Sequence, residues 1–538
     1  MSSKGVRVGI FLGYAPEQGI IDQGIGRLLG FLIKGVNTQS ARSNSIAIAC
    51  PAWYVAHVRE LLVDLRIGED NIEIVTTDGI PYILRLRNFY RHVGRWRLIR
   101  QRLANQWRAA DRGIGFRIAL SWLGTTSTIS FLGQGVLLLL MGLLVLPLLL
   151  IVMLLDGARA LMGKIFAGFW TRFPAAQRMI SYGTSPLREL RRDEFAIRVY
   201  ETIKNRELLR LVQKINHRRI ADVWYCPTIF WPEFAGIAGP KAVAVPDMVF
   251  VDFPLGYAKK TFETVFRKAQ ELINAETHLV CYSDYVRDAH LVDRLGVAPG
   301  RISVIRHGLA EMQHYVRGVT PRDRREWAIR EVNSYARNRY RDHAYLAEFD
   351  FSSVRFALYA SQARPHKNLL QLVRTWESLL RKHYCGEKLI LTCRLDDDPE
   401  LAEYIRARRL QFDILELNGL PAEILAALNV LATIAVNPSL FEGGFPFTFS
   451  EAFSVGTPSV MSRIPAVLEV VRDTQLQNAM LFDPYDSESI GERVRWALAN
   501  RSTLLDLQRP LYDELARRDW GVAASEYVQL FSKLATGA

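Results

Sequence analysis

The feature that most limits what this chain can fold into is an alternation, repeated twice, of short β-branched apolar runs with longer helical patterns. Seven such runs occupy the first half: Val6–Leu12, Ser45–Pro51, Ile72–Thr77, Asp222–Pro227, Lys241–Val245, His278–Tyr282 and Ile302–Arg306. Six more follow at Phe356–Ala360, Lys388–Thr392, Ile414–Leu417, Ile434–Val436, Ser459–Met461 and Met480–Phe482. Strands separated by helices pair in parallel through crossovers, and the helices then cover both faces of the sheet. The predicted fold class is therefore α/β, with two doubly wound Rossmann-like domains facing a cleft. A length of 538 residues agrees, since it exceeds what one core ordinarily holds. The expected divisions are an N-terminal domain over 1–309, a charged helical connector over 310–354, a C-terminal domain over 355–520, and a last helix over 521–538 that packs back on the first domain. In open sheets of this kind ligands bind beyond the carboxyl ends of the strands.

The first domain is interrupted by an insertion, 83–195, of different character. From Val136 to Leu155 twenty residues pass without one polar side chain. At about 1.5 Å per residue that length matches a hydrocarbon core of about 30 Å. A weaker uncharged stretch, Ile118–Leu132, precedes it, so the apolar part covers 118–155 with Gly133-Gln134-Gly135 between the two arms. Upstream, Arg85 to Arg117 holds ten arginines and one acid, Asp111; downstream lie Arg159, Lys164, Arg172, Arg178, Arg188, Arg191 and Arg192. Positive charge on both sides keeps both ends at the cytoplasmic face. A hydrophobic helical hairpin turning near Gly133–Gly135 satisfies that, as does a shallower re-entrant pair. Trp96, Trp107, Trp122 and Trp170 suit an interfacial belt. The expected location is the inner (cytoplasmic) membrane, with membrane lipids contacted through 118–155 and the flanking arginines.

The net charge of +13 calls for an acidic partner: nucleic acid, anionic lipid or a phosphorylated substrate. Because the arginine run adjoins an apolar span, lipid headgroups are favoured and nucleic acid is not expected. The five cysteines form no CxxC pair and no metal spacing, as buried thiols of a reducing compartment would. The N-terminal stretch has no signal-peptide run, so the two domains are expected to face the cytoplasm.

The residues that carry chemistry cluster in NPSLFEGGFPFTFSEAFSVGTPSV, which begins at Asn437. After an apolar strand come Glu442, Gly443 and Gly444, then Pro446 and a helix starting near Thr448 that carries Glu451. Two glycines let the backbone approach a ligand, and a helix start offers N–H groups and a positive dipole end to a diphosphate. A carboxylate beside such a loop can hold sugar or ribose hydroxyls. Glu451 has a second reading, because Thr448-x-x-Glu451 also fits a capping box. Glu442 has no such alternative.

This segment resembles the glutamate-pair motif SLxEGFGLPxLEAxAxGxPVI of family-4-type retaining glycosyltransferases with the GT-B fold. The resemblance runs from Val6 to about Leu534, apart from the insertion and the charged segment after Arg317. The family has seven residues between its glutamates, whereas Glu442 and Glu451 enclose eight. The resemblance implies that Glu442 holds donor-sugar hydroxyls and Glu451 the nucleotide ribose. ALYASQARPHKN, from Ala357, is similar to the family's strand followed by a basic pair, which implies Lys367 and Arg364 at the donor diphosphate. Gln23-Gly24-Ile25-Gly26-Arg27 resembles its GGIGRY loop and puts Gly26 at the donor phosphates or the acceptor. In AVAVPDMVFVDFP, Asp247 matches an HD pair whose histidine is replaced by Pro246. VIRHG places His307 at the end-of-domain hinge, and FDPYDSESIGERVRWALAN resembles the closing strand and helix.

What the resemblance implies is transfer of a sugar from a nucleotide-sugar, GDP- or UDP-linked, with retention at the anomeric carbon. Mannose from GDP-mannose is preferred, because the RPxKN form and the EGG loop look most like mannosyltransferases. No DxD pair is placed for a divalent ion, so neither metal nor cofactor is expected. The apolar insertion suggests a lipid-linked or glycan acceptor in polysaccharide biosynthesis. Two other readings stay open: a GT-B nucleotide-sugar epimerase, and a non-catalytic sugar-binding subunit of a membrane polysaccharide assembly.

Overall fold

The computed structural model describes residues 6–16, 24–39, 46–64, 67, 72–85, 114–140, 194–246, 248–253 and 259–537. Seven strands form the first sheet: β1 Val8–Phe11, β2 Ile46–Cys50, β3 Ile72–Thr76, β4 Val223–Cys226, β5 Lys241–Ala244, β6 His278–Cys281 and β7 Ile302–Val304. Their order is β3-β2-β1-β4-β5-β6-β7 and every pairing is parallel. The second sheet holds β8 Phe356–Tyr359, β9 Lys388–Leu391, β10 Ile414–Glu416, β11 Ile434–Asn437, β12 Ser459–Ser462 and β13 Leu481–Phe482, ordered β10-β9-β8-β11-β12-β13 and again all parallel.

Side chains alternate between the two faces of each strand, and both faces are buried. Val8 and Ile10 enter one core with Ile48, Tyr225 and Leu29, while Phe11 points to the opposite one with Trp224, Leu211 and Phe234. In the second sheet Ala357 and Tyr359 join a core with Trp376 and Phe449, while Phe356 and Leu358 face Trp327, Val332 and Leu428. This two-sided burial explains why the strands are apolar runs and not alternating ones.

Six helices frame the crevice and the insertion: α1 Gly24–Gln39, α2 Ile114–Leu123, α3 Glu194–Arg218, α4 Pro321–Arg339, α5 Phe447–Ser454 and α6 Trp520–Thr536. The charged segment after Arg317 is mostly α4, which starts at a capping box of Thr320 and Asp323. Its stripe of Trp327, Ala328, Val332 and Ala336 packs onto the second sheet, so it belongs to that core. Helix α6 starts with Asp519 accepting from the Val522 N–H and stops at Gly537 in the left-handed region. It lies on the first domain, where Tyr527, Leu530 and Phe531 are buried with Tyr225 and Ile33. Burying side chains of this size contributes about 1.5–3 kcal/mol each.

The insertion differs from expectation in one respect. Gly133 and Gly135 do not form the turn; residues 128–140 are helical, and the break falls at 124–127. The Gly124 N–H still bonds the Leu120 carbonyl, after which Thr125, Thr126 and Ser127 leave the helix. Gly135 serves packing instead: a Cβ there would come 3.3 Å from the Trp122 ring, whose indole N–H donates to the Phe131 carbonyl at 2.9 Å. Most of the apolar run, 141–155, and the arginine-rich stretch 86–113 lie outside the described residues. Among the described residues no helix is long and apolar enough to cross a membrane. The described cysteines are all free; four of them are buried, and burial pushes the Cys50 and Cys281 thiols up to about 12.

Candidate active site

In the second sheet the strand order reverses between β8 and β11, and the crevice at such a switch point is where doubly wound sheets hold ligands. The loops leaving those two strands carry the residues singled out in the sequence. After β8 the chain makes a tight turn, Pro365–Lys367, closed by Asn368 in the left-handed region at φ 56°. Asn368 tolerates that conformation and fastens the turn by donating to the Pro484 carbonyl at 2.7 Å. After β11 comes the Glu442-Gly443-Gly444 loop, then α5.

The two loops meet through one ion pair. Lys367 Nζ lies 2.5 Å from Glu442 Oε1, with both side chains mostly shielded from water. Desolvation pushes the Glu442 carboxyl up, but Lys367, aided by the Ser439 hydroxyl, outweighs it and holds the group below its ordinary range. The site therefore presents a carboxylate and an ammonium that satisfy each other. Neighbouring His366 is pulled down to about 4, by burial first and then by Lys367, so its imidazole is neutral at physiological pH. Arg364 is exposed at the rim and donates to the Gln362 side chain.

Both glycines face the first domain. The Gly443 carbonyl accepts from the Ser283 hydroxyl at 2.9 Å, and a Cβ on Gly444 would stand 3.0 Å from the Tyr282 Cβ. Here glycine is required for close approach of the two domains. Glu451 is buried in α5, yet not as half of a capping box: Pro446 is the N-cap and Thr448 is already inside the helix, accepting from Asn437 Nδ2. The capping-box reading fails because Pro446, at φ −63°, starts the helix earlier than that pattern requires. The start of α5 has no side-chain cap, and its first residue, Phe447, packs against His307 and Trp520.

His307 is half-buried among Tyr282, Phe447 and Trp520, at ring distances of 4.0, 4.8 and 6.0 Å. Burial, then Arg518, pulls its imidazole down to about 3, which makes it a neutral packing residue. It adjoins the crossing between the domains, where the Leu309 N–H bonds the Arg518 carbonyl and Arg518 donates to the Arg306 carbonyl. Gly26 is buried in the first turn of α1 on the first domain, and Asp247 lies outside the described residues.

Several groups of the site were not found by sequence reasoning. Glu469 reaches across the crevice and accepts from the N–H groups of Asp284 and Tyr285 at 3.0 and 2.5 Å, capping the helix Val286–Arg294 of the other domain. Arg306 pairs with Asp284 and lies 3.6 Å from Glu469. Between the domains is a cavity of about 390 Å³ whose walls include Glu442, Asp252, Tyr285, Arg463 and Tyr485. Among the described residues no cluster of three or more metal-ligating side chains occurs.

Set beside known proteins, the architecture is a GT-B-like α/β fold with two parallel sheets. It overlays the HepE protein of Anabaena, solved with UDP and glucose, with a TM-score of 0.54 at 12% identity, covering 98% of this chain and 100% of that one. A glycosyltransferase from Rickettsia africae gives 0.51 at 10% identity, covering 99% and 100%. Residues 349–512, the part of the second domain that carries Lys367, Glu442 and Glu451, match the family model "Glycosyl transferases group 1". In sequence, 158 residues are 29% identical to the O-antigen chain mannosyltransferase B of Escherichia coli. That match spans 29% of this chain and 40% of the relative, less than half the length of either.

Proposed function

We infer that the protein is a retaining glycosyltransferase that moves a sugar, mannose from GDP-mannose by preference, to a membrane-held, lipid-linked glycan acceptor. The observation that carries this reading is the Lys367–Glu442 pair at the sheet's switch point, beside Gly443, Gly444 and the uncapped start of α5. An incoming diphosphate takes Lys367 and Arg364 as counter-charges. Glu442 then turns to the hydroxyls of the sugar, and buried Glu451 to the ribose. The Gly443–Gly444 stretch between the two glutamates leans on Tyr282 and Ser283. As the bond from the anomeric carbon to the diphosphate oxygen breaks, the cations stabilise the charge gathering on the leaving group. The acceptor hydroxyl attacks from the same face and passes its proton to the departing diphosphate, which preserves the anomeric configuration and needs no metal ion. The match to a mannosyltransferase of O-antigen chains supports mannose as the donor sugar.

A membrane-held acceptor is supported by the described part of the insertion. On the helix over 128–140, Ile129, Leu132, Val136, Leu137, Leu139 and Leu140 are all more than half exposed. A run of this kind, continued by apolar residues to Leu155 and flanked by arginines, fits the headgroup region of an anionic bilayer at the cytoplasmic face. Calorimetric titration tests the donor side: GDP or GDP-mannose should bind the parent protein and bind Lys367→Ala at least tenfold more weakly. Equal affinity in both proteins would remove the assigned diphosphate site.

A further inference from the structure

Along the carboxyl edge of the second sheet the loops stand in the order β8, β11, β12, β13. Lys367 follows β8 and Glu442 follows β11, so the diphosphate position lies on one side of Glu442. The cavity of about 390 Å³ lies on the other, walled by the loops after β12 (Arg463) and β13 (Asp483, Tyr485) and by Asp252, Phe253 and Tyr285 of the first domain. Its size is at the lower end for small-ligand sites, enough for one or two sugar rings.

The walls are chemically specific. The Asp252 carboxylate is held rigidly, accepting from His290 Nε2 at 2.9 Å and Arg294 at 2.7 Å, with His290 fully buried behind it. A carboxylate has about four acceptor positions, so donation from His290, Arg294 and the Tyr285 phenol still leaves room for a hydroxyl. The rings of Tyr285 and Tyr485 flank it, and the charge of Asp252 helps raise both phenols, after burial. Asp483 accepts from the Tyr485 N–H at 2.9 Å, which fixes that loop. Asp252, Asp483 and Glu442 line the space against one cation, Arg463, in a protein whose net charge is +13. Asp252 is paired with Arg294 and Glu442 with Lys367, so the walls offer carboxylate oxygens without the excess of cations that a second phosphate would need. Carboxylates beside aromatic rings instead suit a neutral polyhydroxylated ligand, whose C–H faces lie on the rings while its hydroxyls donate to the carboxylates.

We propose that this cavity is the subsite for the terminal sugar of the glycan acceptor, with Asp252 as the hydroxyl-binding carboxylate and Tyr285 and Tyr485 as stacking walls. The proposal rests on the glycosyltransferase reading, which it extends by assigning the acceptor's reacting end to both domains at once. An acceptor seated there meets the donor sugar at Glu442 without crossing the diphosphate site.

The test uses the full chain and the methyl α-glycosides of mannose, glucose and N-acetylglucosamine, observed by saturation-transfer NMR. At least one glycoside should give a signal with the parent protein. That signal should fall at least threefold in Tyr485→Ala, an exposed position whose change leaves the core intact, and in Asp252→Asn. Saturating GDP or UDP should leave it unchanged. Absence of any signal, an unchanged signal in Tyr485→Ala, or displacement by a nucleoside diphosphate would each overturn the proposal, the last by placing the sugar in the donor site. Nucleotide binding is measured by calorimetry on the same samples. Its failure would count against the glycosyltransferase reading, while the glycoside signal still decides the cavity.

Discussion

Replacing Lys367 by methionine removes the ammonium 2.5 Å from Glu442 Oε1 and keeps an apolar stem of similar length. The two side chains are 15% and 18% exposed, so water reaches the stranded carboxylate poorly. Removing one partner of a buried pair costs about 3–5 kcal/mol, and the residual exposure places this case near 3 kcal/mol. The pH dependence follows from the sign of the shift. In the parent the Glu442 carboxyl is depressed, so its contribution is present above the unfolded value and is lost as pH falls through the folded one. In the variant desolvation is left as the leading effect, the folded value rises above the unfolded one, and the deficit is largest at neutral pH. It shrinks as acid protonates Glu442. The double variant Lys367→Met/Glu442→Gln carries neither charge and should recover most of the lost stability, though not the activity. Urea denaturation followed by tryptophan fluorescence, at neutral pH and at about pH 5, measures all three proteins. A single variant within about 0.5 kcal/mol of the parent at neutral pH, or a double variant as unstable as the single one, would refute the reasoning.

Further expectations concern the rest of the site. Glu469→Ala removes the acceptor of two N–H groups across the crevice and should loosen domain closure, seen as a larger radius of gyration in solution scattering; an unchanged radius would deny it that role. Gly444→Ala forces a methyl group against Tyr282 and should cost about 1–3 kcal/mol, with a rise in donor KM; a neutral effect would mean the loop is free to move. The neutral imidazoles of His307 and His366, depressed to about 3 and about 4, predict stability that falls as pH drops below about 6.5, where unfolded histidines gain protons. His307→Phe should flatten that decline in a pH series of denaturation midpoints, and an unaltered slope would contradict the assignment. Leu137→Glu with Leu140→Glu should reduce flotation with anionic vesicles by tenfold or more, and undiminished flotation would remove the exposed helix from membrane binding.

Much of the fold is legible because each strand is buried on both faces and so stands out as an apolar run. Val6–Leu12 contains β1, Lys388–Thr392 contains β9, and the observed ends fall within two residues of those read from sequence. Lys367, Glu442 and Glu451 were legible for a similar reason: each follows or overlies a strand end that sequence locates. Glycine misled in the insertion, since Gly133–Gly135 offered a turn while the chain uses Gly135 to make room for Trp122 and breaks at polar Thr125–Ser127. The Thr448–Glu451 spacing misled in the same way, because Pro446 had already begun the helix. Glu469, Asp252, His290 and the contact of Ser283 with Gly443 carry no local signal. Each depends on how one domain lies against the other, and partners such as Ser283 and Gly443 are 160 residues apart in the chain.

Transfer of sugar through the Lys367–Glu442 site to a membrane-held acceptor can be followed with labelled donors. Its most direct measurement incubates the purified protein with radiolabelled GDP- and UDP-sugars and a bacterial membrane lipid extract, then follows label into the organic phase. Label from GDP-mannose should appear in that phase with the parent protein, and should fall roughly 10²–10³-fold in Glu442→Ala and in Lys367→Ala. Full turnover in both variants would contradict it, as would a parent protein that moves label from no donor.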